Sequence, residues 1–245
     1  MSEEGNCHIG TSGWSYPHWK GVFYPHDVPS ALWLPHYASR FDTVEINASF
    51  YRVPAEKTFL NWRDATPDGF VFAVKVDRRI THYQKLREVR QLWESFVARC
   101  ALLGKKLGCL LLQFPPSFRL DLEALTGFLR LVPSGMRCAF EFRHQTWFAH
   151  EAYHLLSAHG AALCRSSAPR FPDADVATAD FVYVRMHGGT SLYSSKYSDA
   201  ELRRWSAGLR KRLKEGRDVY VYFNNDAHGY AVENALTLRR LLQKK

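Results

Sequence analysis

Glu45, Lys75, Glu141, Arg143, Arg185 and His187 are the residues of this sequence with the most obvious capacity for chemistry, and all sit within or just after short apolar stretches. In Val44-Glu45-Ile46-Asn47, Val74-Lys75-Val76, Phe140-Glu141-Phe142-Arg143 and Val184-Arg185-Met186-His187 the polar residues alternate with apolar ones. A period of two places the polar set on one face of a strand. Two carboxylates facing one space can serve as acid and base, or as a glycosidase-like pair. Lys75, Arg143 and Arg185 beside them would hold both ionised, which suits a base or nucleophile better than an acid. Lys75 is also a candidate Schiff-base amine if desolvation lowers its pKa. His187 is a candidate proton shuttle because an ordinary imidazole titrates near neutrality. A core histidine bonded to a neighbouring carbonyl is an equal alternative for it.

The competing reading is that these charges satisfy one another as a structural network, since buried charges demand partners. Such a network is costly. Replacing buried ion pairs by apolar residues is often neutral or stabilising by roughly 1–4 kcal/mol. Keeping so many polar groups at one end of the strands argues for use.

The elements that must position them follow from periodicity. Apolar, β-rich segments occur at about residues 8–11, 43–47, 70–76, 108–114, 137–142, 161–165, 181–187 and 218–224. Helical patterns fall between most of them, at 31–39, 55–65, 86–103, 121–132, 150–159, 199–214 and 231–243. Alternation of this kind in 245 residues predicts one α/β domain over residues 1–245, a (β/α)8 barrel of the TIM type. A doubly wound open sheet is the competitor, weakened because no G-x-G-x-x-G turn follows the first strand. Barrel enzymes build their sites at the carboxyl ends of the strands, which is where the polar residues concentrate.

Two loops extend the expected site. Strand seven runs into His187-Gly188-Gly189-Thr190-Ser191, and strand eight into Asn224-Asn225-Asp226-Ala227-His228-Gly229. Barrels often bind phosphate between these loops through backbone amides; glycines that merely make turns are the even alternative. Tyr193 and Tyr197 flank a segment long enough to act as a lid. Trp14, Tyr16, Phe50, Tyr51, Trp147 and Tyr230 also follow strand ends, where they would stack on a sugar or base or simply cover the barrel.

Several classes are disfavoured. No run of 18 apolar residues is present, and the start, Met-Ser-Glu-Glu-Gly, lacks the basic and apolar regions of a signal peptide. The expectation is a cytoplasmic protein with no membrane partner. Five scattered cysteines without a C-x-x-C pair argue against disulfides and cysteine zinc sites, and buried free thiols are expected. No cofactor is expected. A divalent metal held by Glu45, Glu141 and His187 is a lesser alternative, because the adjacent cations would repel it. The net charge of +9 favours acidic ligands, nucleic acid included. Much of the excess, however, lies in runs such as Arg203-Arg204 and Arg210-Lys211-Arg212, which read as solvated helix faces.

The same residues resemble the YecE-like family, a domain of unknown function numbered seventy-two. The resemblance rests on Ile9-Gly-Thr-Ser-Gly-Trp-Ser-Tyr16, Trp19-Lys-Gly-Val-Phe-Tyr-Pro25 and Thr43-Val-Glu-Ile-Asn-Ala-Ser-Phe-Tyr51. It continues through Lys75 with Thr81-His82, Gln113-Phe-Pro-Pro-Ser-Phe118, Glu141-Phe-Arg-His144 with Trp147, Arg185-Met-His-Gly188 and Tyr222-Phe-Asn-Asn225 with Ala231–Ala235. It implies a TIM-type barrel with a deep pocket at the strand ends and no assigned activity. Asn47, Tyr51, His82, Gln113, Arg143, Arg185, Gly188, Tyr193, Tyr197, Asn224 and Asn225 are therefore expected to contact a ligand around Glu45, Lys75, Glu141 and His187. One departure is Arg165, which stands where an uncharged or acidic strand end is expected.

The leading expectation is an enzyme of hydrolase, isomerase or lyase type acting on an anionic, hydroxyl-rich small molecule such as a sugar phosphate or nucleotide. A nucleic-acid-binding or -processing protein is the second reading. A metabolite sensor without turnover is the third.

Overall fold

Every stretch in which apolar side chains recur at alternate positions becomes a parallel strand in the computed structural model of the chain, which describes residues 4–243. The strands are β1 (Cys7–Thr11), β2 (Thr43–Ile46), β3 (Val71–Lys75), β4 (Leu107–Gln113), β5 (Cys138–Glu141), β6 (Ala162–Ser167), β7 (Phe181–Met186) and β8 (Asp218–Phe223). They form one eight-stranded sheet in the order β1-β8-β7-β6-β5-β4-β3-β2. Its two ends meet at a single parallel bridge between Ser12 and Glu45, so the sheet is a nearly closed (β/α)8 barrel.

That last junction has its own chemistry. A Cβ on Gly10 would lie 2.2 Å from the Thr43 carbonyl oxygen, so only glycine lets β1 approach β2 this closely. The Tyr37 hydroxyl accepts the Thr11 amide at 2.9 Å and donates to the Thr43 carbonyl at 3.1 Å. A side chain thus replaces a rung of the ladder.

The helices are α1 (Trp33–Ala38), α2 (Ala48–Tyr51), α3 (Glu56–Asp64), α4 (Arg90–Cys100), α5 (Leu122–Leu129), α6 (His150–Ala158), α7 (Asp199–Lys214) and α8 (Tyr230–Gln243). Residues 168–180 join β6 to β7 without an α-helix. The helix expected over 86–103 starts later, because Leu86 and Glu88 take φ values of 69° and 53°, which an α-helix cannot contain. Asp121 is the cap of α5 and not its first residue, its carboxylate accepting the Ala124 amide at 2.9 Å.

Two apolar layers result. Val44, Ile46, Phe72, Val74, Leu110, Leu112, Phe140, Val184, Val219 and Val221 pack outward against the helices. Each such buried side chain contributes roughly 1.5–3 kcal/mol. Ala73, Cys109, Leu111, Ala139, Ala162 and Cys164 point inward, and the space they leave is filled by Tyr183, Tyr220 and Tyr222 from β7 and β8. Small residues on one wall thus match large ones on the other. The five cysteines are free thiols, all but Cys7 buried. Among the described residues, no helix is long and apolar enough to cross a membrane.

Candidate functional site

Above the inner tyrosines, the inward positions turn from apolar to charged. Arg185, on β7, lies between two carboxylates from β2 and β5. Its Nε and Nη2 donate to Glu45 at 2.9 and 2.7 Å, and its Nη1 donates to Glu141 at 2.7 Å. Glu45 also accepts the Tyr183 hydroxyl at 2.8 Å. Glu141 accepts the Ser166 hydroxyl at 2.9 Å and lies 2.5 Å from Arg143 Nη2. Glu45, Glu141 and His187 are fully buried and Arg185 is 2% exposed. Burial alone would raise the carboxyl pKa values. The guanidinium charges and hydrogen bonds more than offset it, so both glutamates titrate below their ordinary range.

Asn224 Nδ2 lies 3.2 Å from His187 Nδ1, and with that amide donating the ring proton sits on Nε2, 3.1 Å from Glu141 Oε1; Arg143 Nη2 is 3.3 Å from the same nitrogen. Burial lowers the pKa of His187 to about 4 despite Glu141, so it is a neutral donor at neutral pH.

Lys75 differs from its neighbours. Its ammonium lies 4.0 Å from the centroid of the Phe50 ring, and it makes no ion pair or side-chain hydrogen bond with any described residue. Only 9% of the residue is exposed. Burial, and then the charge of Arg185, lower its pKa to about 7, although Glu141 and Glu45 pull the other way. The charges explain why. Glu45 and Glu141 are matched by Arg185 and Arg143, and the charge of Lys75 is left over. Arg143 is covered by Phe171, whose ring centroid is 3.6 Å from the guanidinium carbon, and its Nε is buried without a partner.

These groups floor a cavity of about 570 Å³ at the carboxyl ends of the strands. Of the residues expected at the site, Lys75, Arg143, Arg185, Asn47, Tyr51, Gln113, Tyr193 and Asn224 line it. Glu45, Glu141 and His187 lie beneath, bonded to that lining. His82 stands to one side with its ring 4.9 Å from Phe50; burial and then Lys75 and Arg143 lower its pKa to about 4. Gly188, Tyr197 and Asn225 are outside the lining and build the loop instead. The Gly188 amide donates to the Tyr197 hydroxyl at 2.9 Å, and Asn225 Nδ2 donates to Ser195 O and Asn234 Oδ1, each at 2.9 Å. The Thr190 and Ser191 amides are likewise taken by Ser195 Oγ, at 3.1 and 3.0 Å.

Arg165 does not reach the cavity. Arg165 alternates with the inward Ala162, Cys164 and Ser166 of β6 and so points outward, to Asp173 at 2.8 Å and Asp175 at 3.1 Å; β6 runs two residues beyond the expected 161–165, which carries Ser166 to Glu141. Ser166, Tyr183, Phe171, His18 and Asp226 complete the site without having been singled out from sequence as its parts. Tyr183 shares the inward parity of Arg185, a signal that was present; Phe171 comes from an irregular loop and carries none. A metal does not fit the Glu45–Glu141–His187 set, because guanidinium groups already occupy the carboxylate oxygens. Among the described residues, no group of three or more His, Cys, Asp or Glu is placed to hold one.

Residues 8–245 match the family model described as "Protein of unknown function DUF72". The chain belongs to the DUF72 family. UPF0759 protein YunF of Bacillus subtilis strain 168 is 28% identical over 269 residues, covering 96% of this chain and 94% of that protein. UPF0759 protein YecE of Escherichia coli K12 is 34% identical over 143 residues, 58% of this chain and 50% of its own. The crystal structure of a DUF72 family protein from Thermotoga maritima MSB8 superimposes with a TM-score of 0.88 at 30% identity, covering 98% of this chain and 100% of that one. A second DUF72 protein, from Enterococcus faecalis V583, shares the fold with a TM-score of 0.83 at 22% identity over 98% of this chain and 96% of its own. The DUF72 name carries a fold and no reaction, so function has to be argued from the cavity.

Proposed function

We propose that this DUF72 protein is an enzyme that binds a small, anionic, hydroxyl-rich molecule in the barrel mouth and uses the Lys75 amine for acid–base chemistry on it. One observation carries the reading: Lys75 is a desolvated amine at the cavity surface with no carboxylate partner among the described residues. An anion entering the cavity supplies the missing counter-charge. Near pH 7 the amine exchanges a proton readily, because its pKa is about 7.

The two glutamates act in this scheme through Arg185. Their oxygens hold the guanidinium in place, and Ser166, Tyr183 and His187 fill the remaining acceptor sites. Arg143 and Arg185 then meet the ligand's anionic group as fixed donors, whose geometry suits phosphate or carboxylate oxygens. Asn47, Gln113 and Asn224 offer amides to its hydroxyls. The class of reaction is proton transfer, with isomerisation, elimination and hydrolysis all within reach of one amine base.

The test is a thermal-shift screen of sugar phosphates and nucleotides, followed by turnover assays on those that stabilise the protein. Stabilisation by at least one of them that disappears in Lys75→Met supports the reading. Equal stabilisation and turnover in wild type and Lys75→Met overturns it.

A further inference from the structure

The rim of the same cavity carries a second pair of groups. His18, from the segment after β1, and Asp226, from the segment after β8, both line it. His18 Nε2 lies 2.9 Å from Asp226 Oδ2 and 2.9 Å from the Asp226 carbonyl oxygen. Both neighbours are acceptors, so Nε2 must carry the ring proton. Nδ1 then holds the lone pair. No hydrogen bond occupies Nδ1 among the described residues.

Asp226 is itself fixed. The fully buried Trp19 donates its indole N–H to Asp226 Oδ1 at 2.7 Å, so one carboxylate oxygen serves Trp19 and the other serves His18. An imidazole whose far nitrogen is bonded to an oriented carboxylate, as His18 is to the partly buried Asp226, has the arrangement that prepares a general base. Tyr16 flanks the imidazole, with ring centroids 5.5 Å apart. His18 itself remains 47% exposed by side chain, whereas the Asp226 side chain is 15% exposed: an accessible base on a partly buried support.

From this geometry we infer that His18 is a second proton-transferring residue of the cavity, with Nδ1 as the accepting atom, a hydroxyl of the anionic ligand as the donor, and Asp226 as the positioning residue. The ligand class rests on the proposed role of Lys75 and Arg143; the orientation of His18 does not. Lys75 would act on the part of the molecule near its anionic end, and His18 on a hydroxyl nearer the rim. The two residues come from different walls, β3 and the segment following β1.

Alkylation of the full-length protein with bromoacetate and with its neutral analogue bromoacetamide tests this. The Nδ1 lone pair forms the new N–C bond, bromide leaves with the electron pair of the C–Br bond, and the Nε2 proton stays between the ring and Asp226. Peptide mapping identifies the alkylated nitrogen, with the exposed His26 and His154 as internal references. The expected result is labelling of His18 at Nδ1, severalfold faster than the references and faster with the anionic reagent. In Asp226→Asn the retained oxygen would serve Trp19 and the amide N–H would face Nε2, leaving the main-chain carbonyl alone to hold the ring proton there; the labelling advantage should then fall. Labelling at Nε2, a rate equal to that of His26 and His154, or no effect of Asp226→Asn overturns the inference. If the neutral reagent still labels Nδ1 in an Asp226-dependent way but bromoacetate has no advantage, the dyad stands and the cationic-pocket reading fails.

Discussion

The two ends of the barrel both carry charge and use it differently. At the base, Arg137 lies 2.6 Å from Asp218 and 3.1 Å from Asp180, and it donates to the Tyr220 hydroxyl at 3.1 Å. His8 stacks on Tyr220 with ring centroids 5.0 Å apart, near Asp42. Every cation there has an anion, and water reaches the cluster, the Asp180 side chain being 72% exposed. At the floor of the mouth Glu45 and Glu141 are wholly buried and are bound by Arg185 and Arg143, which leaves Lys75 over; Asp226, at the rim, is held by Trp19 and His18. A cluster that is wet and matched in charge holds strand ends together. One that is dry and mismatched is what the proposed anionic ligand would complete.

The largest effect expected from this contrast is on stability. Arg185→Met strips the fully buried Glu45 of its guanidinium partner and leaves Glu141 with Arg143 as its one remaining guanidinium, and should cost about 3–5 kcal/mol, measured by urea unfolding. Arg137→Ala at the base should cost less, about 2 kcal/mol, because its carboxylates can be rehydrated. If the order were reversed, the mouth would not be the tightly coupled end.

The next effect has a definite sign. The folded-state pKa of Lys75 is lowered, from 10.5 to about 7. Between those values the unfolded chain binds the extra proton, so stability should rise with pH through the window from about 7 to 10.5, the penalty being fully present below it. Lys75→Met should flatten that slope relative to wild type and be the more stable protein at pH 6. A slope identical in both proteins would mean that Lys75 is solvated or paired.

The smallest effect lies at the edge of the cavity. Tyr51 is 67% exposed, so Tyr51→Ala should change stability by no more than about 0.5 kcal/mol. It should still weaken binding of any ligand found by thermal shift. Calorimetric titration of that ligand would separate the two effects.

The sequence conveyed the barrel well because its strands alternate: Val44 and Ile46 outward with Glu45 inward, Phe140 and Phe142 outward with Glu141 inward. That same parity brought Glu45, Lys75, Glu141, Arg143 and Arg185 to one place. It could not tell which of them were matched. Ser166 was missed because β6 was ended at Arg165, so the next inward position, two after Cys164, lay beyond the expected strand. His18 and Asp226 are 208 positions apart in irregular segments, where no periodicity announces a meeting. The glycine-rich run after β7 is a case of chemistry outweighing composition: its amides have internal partners in Tyr197 and Ser195.

Tyr37 gives the wall a designated weak point. Seven of the eight junctions between neighbouring strands are parallel ladders, of which β3–β4 is interrupted by a register shift and β5–β6 is short, whereas β1 and β2 are latched by a phenol and one bridge. A hoop fastened by one pin gives way at the pin. Amide exchange should therefore be fastest, among barrel strands, at Thr11, and removing the latch with Tyr37→Phe should loosen the staves carrying Gly10 and Glu45 while the far side of the cylinder keeps its protection.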